Sequence, residues 1–215
     1  MSVAGSKAAA ATSGVKVRKK SIAREYAEAL VLAIVLVLFL RAFVIQAFRI
    51  PSGSMRDTLL EGDFLFANKF LYGPKVPFTD VRLPGIRDPK PGDIIVFEAP
   101  IGENKDFIKR CIAVEGQTIE IRDKQVYVDG VKLDEPYVRH SDPRNVGRSR
   151  DEYGPVTVPP GHIFMMGDNR DDSNDSRYWG PLSMDAVKGK AMFLYFSWDG
   201  ERHLPRFERF FDLIR

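Results

Sequence analysis

The chain of 215 residues has a single cysteine, Cys111, so no intramolecular disulfide can staple it and the fold must stand on its core. Histidine is nearly as scarce. His140, His162 and His203 are scattered without ligand spacing, and neither a CxxC nor an HExxH pattern occurs, which argues against a metal site and gives no reason to expect a cofactor. A dominant charge is lacking too: 32 Lys and Arg against 29 Asp and Glu give a net +3, too little to argue for a nucleic-acid partner. There are no internal repeats, and beyond residue 60 no stretch carries the periodicity of a long helix.

The chain does have one long apolar run, and its basic residues are placed unevenly around it. Between residues 27 and 48 the strongly polar residues are only Glu28, Arg41 and Gln46. As a helix this run would extend about 33 Å, enough to cross the hydrocarbon core, with Arg41 reaching back to the headgroups. Lys16, Arg18, Lys19, Lys20 and Arg24 crowd its N-terminal side, which places that side in the cytoplasm and the bulk of the chain across the membrane. The expected organisation is a basic cytoplasmic tail over 1–26, an anchor over 27–48 and an extracytoplasmic domain over 49–215. The competing reading is a cleaved secretory signal with an apolar core over 29–40. Small residues at the required spacing do not follow that core, since Ala42 is preceded three positions earlier by Leu40 and Ala47 by Ile45.

After the run the pattern changes to short strand-like segments separated by turn residues. Residues 63–72 are rich in Phe and Leu, the proline-rich 73–91 reads as a loop, and 93–97 and 107–114 read as buried strands. Residues 118–122 and 125–133 suggest hairpins in series, with Asp129-Gly130 as the turn signal. Residues 135–152 are charged and lack alternation, predicting an exposed excursion. Residues 163–166 and 191–198 read as further strands. The fold class expected is mainly β, an all-β domain of coiled, barrel-like sheets behind one transmembrane helix, with an inserted small β subdomain near 116–160. Near the end, Phe207, Phe210, Phe211 and Ile214 beside Arg206, Arg209 and Arg215 read either as a closing turn or strand of the core or as a patch entering the lipid headgroups.

Three segments carry candidate chemistry. Ser54 lies in Pro51-Ser52-Gly53-Ser54-Met55, on a turn just past the apolar run. A serine hydroxyl is a poor nucleophile until something takes its proton, and no histidine sits in a motif to do so. A neutral lysine can, provided its pKa falls from about 10.4 toward 7–8, which requires the site to disfavour the ammonium by roughly 3–4 kcal/mol. Lys109 has apolar neighbours in sequence, namely Phe107, Ile108, Cys111, Ile112 and Ala113. Taken singly, Lys109 reads as a solvated edge-strand charge and Ser54 as ordinary turn chemistry. The polar cluster from Gly167 to Arg177 reads as a calcium loop, a salt-bridged turn or catalytic machinery, although it lacks EF-hand spacing.

Taken together, Pro51-Ser52-Gly53-Ser54-Met55, Phe107-Ile108-Lys109-Arg110 and Gly167-Asp168-Asn169-Arg170…Ser173…Asp175-Ser176-Arg177-Tyr178-Trp179-Gly180 resemble, in order, the signature boxes of bacterial type I signal peptidases. Gly92-Asp93-Ile94-Ile95-Val96-Phe97 is similar to a further box, and Asn68-Lys69-Phe70…Tyr72-Gly73 is also family-like. The resemblance covers about 27–205, apart from the excursion. It implies a membrane-anchored serine endopeptidase that removes signal peptides from exported preproteins after Ala-x-Ala-like sites. Ser54 would be the nucleophile and Lys109 the general base. Ser52 would join the Ser54 N–H in the oxyanion hole, Ser173 would hydrogen-bond the Lys109 amine, and Asp175 and Arg177 would support the cluster by an ion pair. Phe48, Ile50, Met55 and Ile108 would shape shallow pockets for small residues, with Asp106 and Phe107 on the strand that pairs with substrate.

The implied setting is the bacterial inner membrane, single-pass, with the catalytic domain on the periplasmic face. Lipid and the Sec or Tat export machinery would be neighbours. The chain departs from some family members in having one membrane segment rather than two and in lacking a disulfide partner for Cys111. The alternatives are a Ser-Lys processing protease of a related branch, acting on conjugation or pilus proteins, and a non-enzymatic export scaffold.

Overall fold

A computed structural model describes residues 21–79, 81–100, 102, 105–144 and 148–215. Most of the expected N-terminal tail, residues 1–20, lies outside them. The chain divides into two compact units, one ending at Val37 and the other running Leu38–Arg215.

Helix α1 (Ile22–Phe43) opens the described chain. Ser21 starts it, its carbonyl accepting from Arg24 and Glu25 N–H and its hydroxyl from Arg24 N–H. Arg24 and Glu28 then pair one turn apart. None of its residues is buried, its mean hydropathy peaks at 2.2, and its length and composition suffice to cross a membrane. These bounds correct the expected anchor of 27–48 at both ends. Residues 22–26 are helical rather than tail, and the run Ile45-Gln46-Ala47-Phe48-Arg49 is not helix but strand β1 (Ile45–Arg49). The reason is hydrogen bonding. The last helical turn closes at Val44, and from Ile45 onward the backbone pairs with β2 (Asp63–Asn68), Ile45 opposite Asn68 through Arg49 opposite Phe64.

The remaining strands are β3 (Ile94–Glu98), β4 (Asp106–Val114), β5 (Thr118–Arg122), β6 (Gln125–Val128) and β7 (Val131–Lys132). After the single-turn helix α2 (Arg148–Asp151) come β8 (Tyr153–Thr157) and β9 (His162–Met166). The single-turn helix α3 (Ser176–Trp179) then precedes β10 (Leu182–Ser183), β11 (Val187–Asp199) and β12 (Leu204–Pro205). Every strand pairing is antiparallel. The large sheet runs β1-β2-β11-β3-β4-β9-β10, with β12 added to β11, and a four-stranded sheet runs β7-β6-β5-β8. The architecture is thus mainly β, a curled sheet domain preceded by an apolar helix. The curl has a local cause: β11 shifts register three times as it pairs with β2 and β3, and each such irregularity bends a strand. At one shift Gly189 is required, because a Cβ there would lie 2.5 Å from the Asn68 carbonyl oxygen.

Strand alternation distributes the core. Ile94 and Val96 of β3 enter one cluster with Ile50, Met55, Leu59, Leu65 and Ile108, whereas Ile95 and Phe97 enter another with Tyr72, Cys111, Met165 and Val187. A third cluster joins Ile112, Phe164 and Met166 of the large sheet to Ile119, Ile121, Val126 and Val128 of the small one. The Asp129-Gly130 turn has the left-handed φ values its hairpin requires, +52° and +78°. The C-terminal aromatic segment ends as a turn: Phe210 packs on Phe196, Ile214 packs on the core, and Phe207 and Phe211 remain exposed. Among its described residues the excursion of 135–152 forms no strand, but it is not simply solvated, since Asp151 is 1% exposed and Glu135 pairs with a buried arginine.

Candidate active site

Ser54 sits in a 3-10 turn, Gly53–Met55, entered from Ser52 in extended backbone. Met55 anchors this turn from below, fully buried in the core. A loop far along the chain holds it from the side: Asn169 donates its main-chain N–H to the Ser54 carbonyl (3.1 Å) and its Nδ2 to the Gly53 carbonyl (3.0 Å). Close approach of this loop depends on Gly167, where a Cβ would stand 2.5 Å from the Ser54 oxygen and against the Ser173 hydroxyl.

Lys109 projects from β4, a strand specified by Phe107-Ile108-Lys109-Arg110-Cys111-Ile112. Its neighbours across the ladder are Ile95 for Lys109 and Ile94 for Arg110. The side chain is 4% exposed, and its Nζ is 2.5 Å from Ser54 Oγ, 3.1 Å from the Ile108 carbonyl and 5.5 Å from the Phe107 ring centre. Burial pushes the Lys109 amine down to about 8, against partial opposition from the Asp175 and Asp168 carboxylates. As an ammonium it donates to Ser54 Oγ; as a neutral amine it offers a lone pair to the hydroxyl proton.

The depressed lysine has a stability consequence. The folded state releases this proton near 8 and the unfolded state near 10.5, so stability rises with pH between those values. Below about pH 8 both states hold the proton and the full cost of burying it is present. Lys109→Met removes that cost. The variant is expected to be more stable at pH 7 by up to about 3 kcal/mol, the gain shrinking to nothing above pH 10.5. Denaturant unfolding at pH 7 and pH 10 checks both the sign and the window.

The polar loop is supported by ion pairs that are buried almost completely. Asp175 and Arg177 pair at 2.8 Å, and Asp175 also accepts from the Gly167 and Arg177 N–H groups. Burial pushes the Asp175 carboxyl upward, but the Arg177 guanidinium and these N–H donors outweigh it and hold the group below the usual carboxylate range. Asp168 accepts from Arg110 Nε (2.9 Å), Arg110 Nη2 (2.7 Å) and Thr58 Oγ1 (2.6 Å). Arg110, Asp168, Asn169 and Thr58 received no role from the sequence. The signal available was a strand position beside Lys109 occupied by an arginine, which must find an acid if buried.

A cleft of about 830 Å³ opens onto Ser54 and Lys109. Ser52, Phe48, Asp106, Phe107 and Ile108 all line it. Ile50 and Met55 do not: at 2% and 0% exposure they lie in the core cluster that carries Phe48 and Ile108. Ile50, just past the end of β1, and Met55, in the 3-10 turn, both bury their side chains in the apolar interior. The hydrogen bond expected from Ser173 to Lys109 is also not made. Ser173 is buried and so is its hydroxyl oxygen, close enough to Asp175 to help keep that carboxylate ionised but out of hydrogen-bonding geometry with any described residue. Among the described residues no His, Cys, Asp and Glu cluster is arranged to hold a metal.

Residues 23–198 match the family model described as "Signal peptidase, peptidase S26". The chain is 34% identical to signal peptidase I of Pseudomonas fluorescens and 36% identical to that of Pseudomonas aeruginosa, each alignment covering 90% of this chain and 80% of the relative. A solved signal peptidase I structure from Enterococcus faecalis V583 aligns at 34% identity and a TM-score of 0.42, covering 48% of this chain and 97% of that one.

Proposed function

The chain belongs to the S26 signal peptidase family and is a serine endopeptidase acting on signal peptides; on that premise we propose that Ser54 and Lys109 are its catalytic dyad. The observation that carries this is the 2.5 Å approach of a nearly inaccessible lysine amine to a serine hydroxyl at the floor of an open cleft. In this reading the neutral amine takes the Ser54 proton as Oγ attacks the scissile carbonyl. The ammonium then returns that proton to the leaving amine, and the acyl-enzyme is hydrolysed by a water that the same amine deprotonates. Ser52 Oγ and the Ser54 N–H stabilise the oxyanion. Ser173 orients the amine when the site closes on substrate, and Asp175 with Arg177 keeps the loop rigid.

The cleft suits small-x-small sequences. Phe48, Phe107 and Ile108 give the cleft apolar lining. It also offers unpaired strand edges. β1 ends the sheet, and residues 106–109 of β4 pair with β3 alone, because β9 joins β4 only from Arg110 onward. An extended preprotein segment can add to these edges while its small side chains enter the pockets. Helix α1 serves as the anchor, N-terminus cytoplasmic and catalytic unit periplasmic, which confines enzyme and preprotein to one bilayer surface and raises their effective concentration. Lipid and the Sec or Tat machinery are then neighbours by location.

The test is cleavage of a fluorogenic Ala-x-Ala peptide by full-length protein in detergent, followed against pH. Because only the neutral amine can act as base, kcat/KM is expected to rise through an apparent pKa near 8 and level off above it. A peptide with Phe at either small position should be cleaved at least about a hundredfold more slowly, since a ring cannot enter a shallow pocket. A profile still climbing at pH 10, or equal cleavage of both peptides, contradicts the reading.

A further inference from the structure

Residues 135–139 belong to the excursion that looks like a connector in sequence, yet they grip the same loop that grips the nucleophile turn. The grip has three parts. The main chain forms a parallel bridge between Arg139 and Asn169, with Arg139 N–H donating to the Asp168 carbonyl (2.8 Å) and Arg170 N–H donating to the Arg139 carbonyl (3.0 Å). Glu135 accepts two hydrogen bonds from the buried Arg170, at 2.6 and 3.0 Å, and Arg170 in turn donates to the Gly167 carbonyl. The Tyr137 ring covers Arg110, whose guanidinium carbon lies 3.8 Å from the ring centre, while the Tyr137 hydroxyl donates to Glu135 (2.9 Å).

From the gripped residues further contacts run to the main chain and flank of the Ser54 turn. Arg110 holds the Asp168 carboxylate, Asp168 accepts from Thr58 beyond the turn, and Asn169 donates to the carbonyls of Gly53 and Ser54. Arg139 closes the circuit from the other end, its guanidinium pairing with Asp57 at 3.0 Å, three residues after the nucleophile. Arg110 also adjoins Lys109 in β4, so the Tyr137 stack bears on the strand that carries the amine.

We propose that residues 135–139 are a positioning element of the active site, Tyr137 and Glu135 acting through Arg110 and residues 168–170 to fix the Ser54 hydroxyl against the Lys109 amine. This rests on the dyad assignment above. None of these side chains touches substrate, so their loss should leave binding intact and slow the chemical step. A displacement of about 1 Å at a reacting atom is enough to cost about a hundredfold in rate.

The experiment compares Tyr137→Ala, Tyr137→Phe, Glu135→Gln and Ser54→Ala in the full-length protein with the fluorogenic peptide, alongside thermal midpoints. Tyr137→Ala is expected to lower kcat about 10- to 100-fold with KM within about twofold, whereas Tyr137→Phe, which keeps the ring over Arg110, stays within about threefold of the parent. Glu135→Gln, which retains the shape but weakens the Arg170 pair, should lower kcat about 3- to 10-fold at unchanged KM, and it decides the matter should Tyr137→Ala not fold. The proposal is overturned if Tyr137→Ala keeps kcat within twofold, if Tyr137→Phe is as slow as Tyr137→Ala, or if the variants raise KM alone. Residual cleavage by Ser54→Ala would instead remove the dyad reading beneath it. An inactive Ser54→Ala beside a fully active Tyr137→Ala would sink only the positioning role.

Discussion

Ser54→Ala and Lys109→Ala are each expected to lower peptide cleavage by at least about a thousandfold while the far-ultraviolet circular dichroism stays that of the parent. The nucleophile cannot be replaced by a methyl group, and loss of a general base costs about 10²–10⁴ on its own. Lys109→Arg should be no better than Lys109→Ala, because a guanidinium stays charged at every accessible pH and has no lone pair to offer. Since the two residues act on one proton, the double variant should be about as slow as either single one. Lys109→Ala removes a buried ammonium that is a burden below about pH 8 but leaves a cavity, so its circular dichroism and thermal midpoint are read beside its activity. Either single variant retaining more than about a tenth of the parent rate would refute the dyad.

Arg177→Ala is expected to destabilise the fold by about 3–5 kcal/mol, the usual cost of orphaning one member of a buried pair. The arginine does more than neutralise Asp175. Its Nη2 also donates to the Arg170 carbonyl (2.7 Å) and its Nη1 to the Arg150 carbonyl (2.8 Å), so truncation leaves a buried carboxylate without its cation and two carbonyls without this donor. Arg177→Lys cannot span these acceptors with one ammonium and should recover less than half of the loss. Denaturant midpoints measure both effects, and a loss below about 1 kcal/mol for Arg177→Ala would mean that the loop does not depend on this pair. Activity should fall in step, because the residues that hold the Ser54 turn belong to the same loop.

How much of this was readable beforehand depended on whether a residue's partner could be inferred locally. Strands such as 94–98 and 107–114 announce themselves through dense β-branched and aromatic residues, and Asp129-Gly130 names its own turn. The apolar run was legible as a helix but its end was not. Val44, Ile45, Ala47 and Phe48 suit either lipid or a sheet, and only pairing with 64–68 distinguishes them. Strand β8 escaped because Tyr153-Gly154-Pro155 reads as a breaker, whereas its partner β5 supplies the missing context. The proposed dyad was legible because a lysine within an apolar strand is chemically conspicuous and because the boxes around it resemble a family. The contacts of Glu135, Tyr137, Asn169 and Arg110 were not legible, since polar side chains look solvated until a partner as far as 116 positions away buries them. Ile50 and Met55, expected at the pockets for small residues, lie buried in the core cluster that carries Phe48 and Ile108.

The central claim is that an uncharged lysine amine beside Ser54 is the base at working pH. Its most direct test is an NMR titration of the Lys109 side chain in detergent, using isotopically labelled lysine and Lys109→Met to assign the signal. The account predicts a midpoint near 8, with the Ser54→Ala variant titrating in the same low range because burial sets the value. A midpoint near 10.5, the value of a solvated lysine, would contradict it.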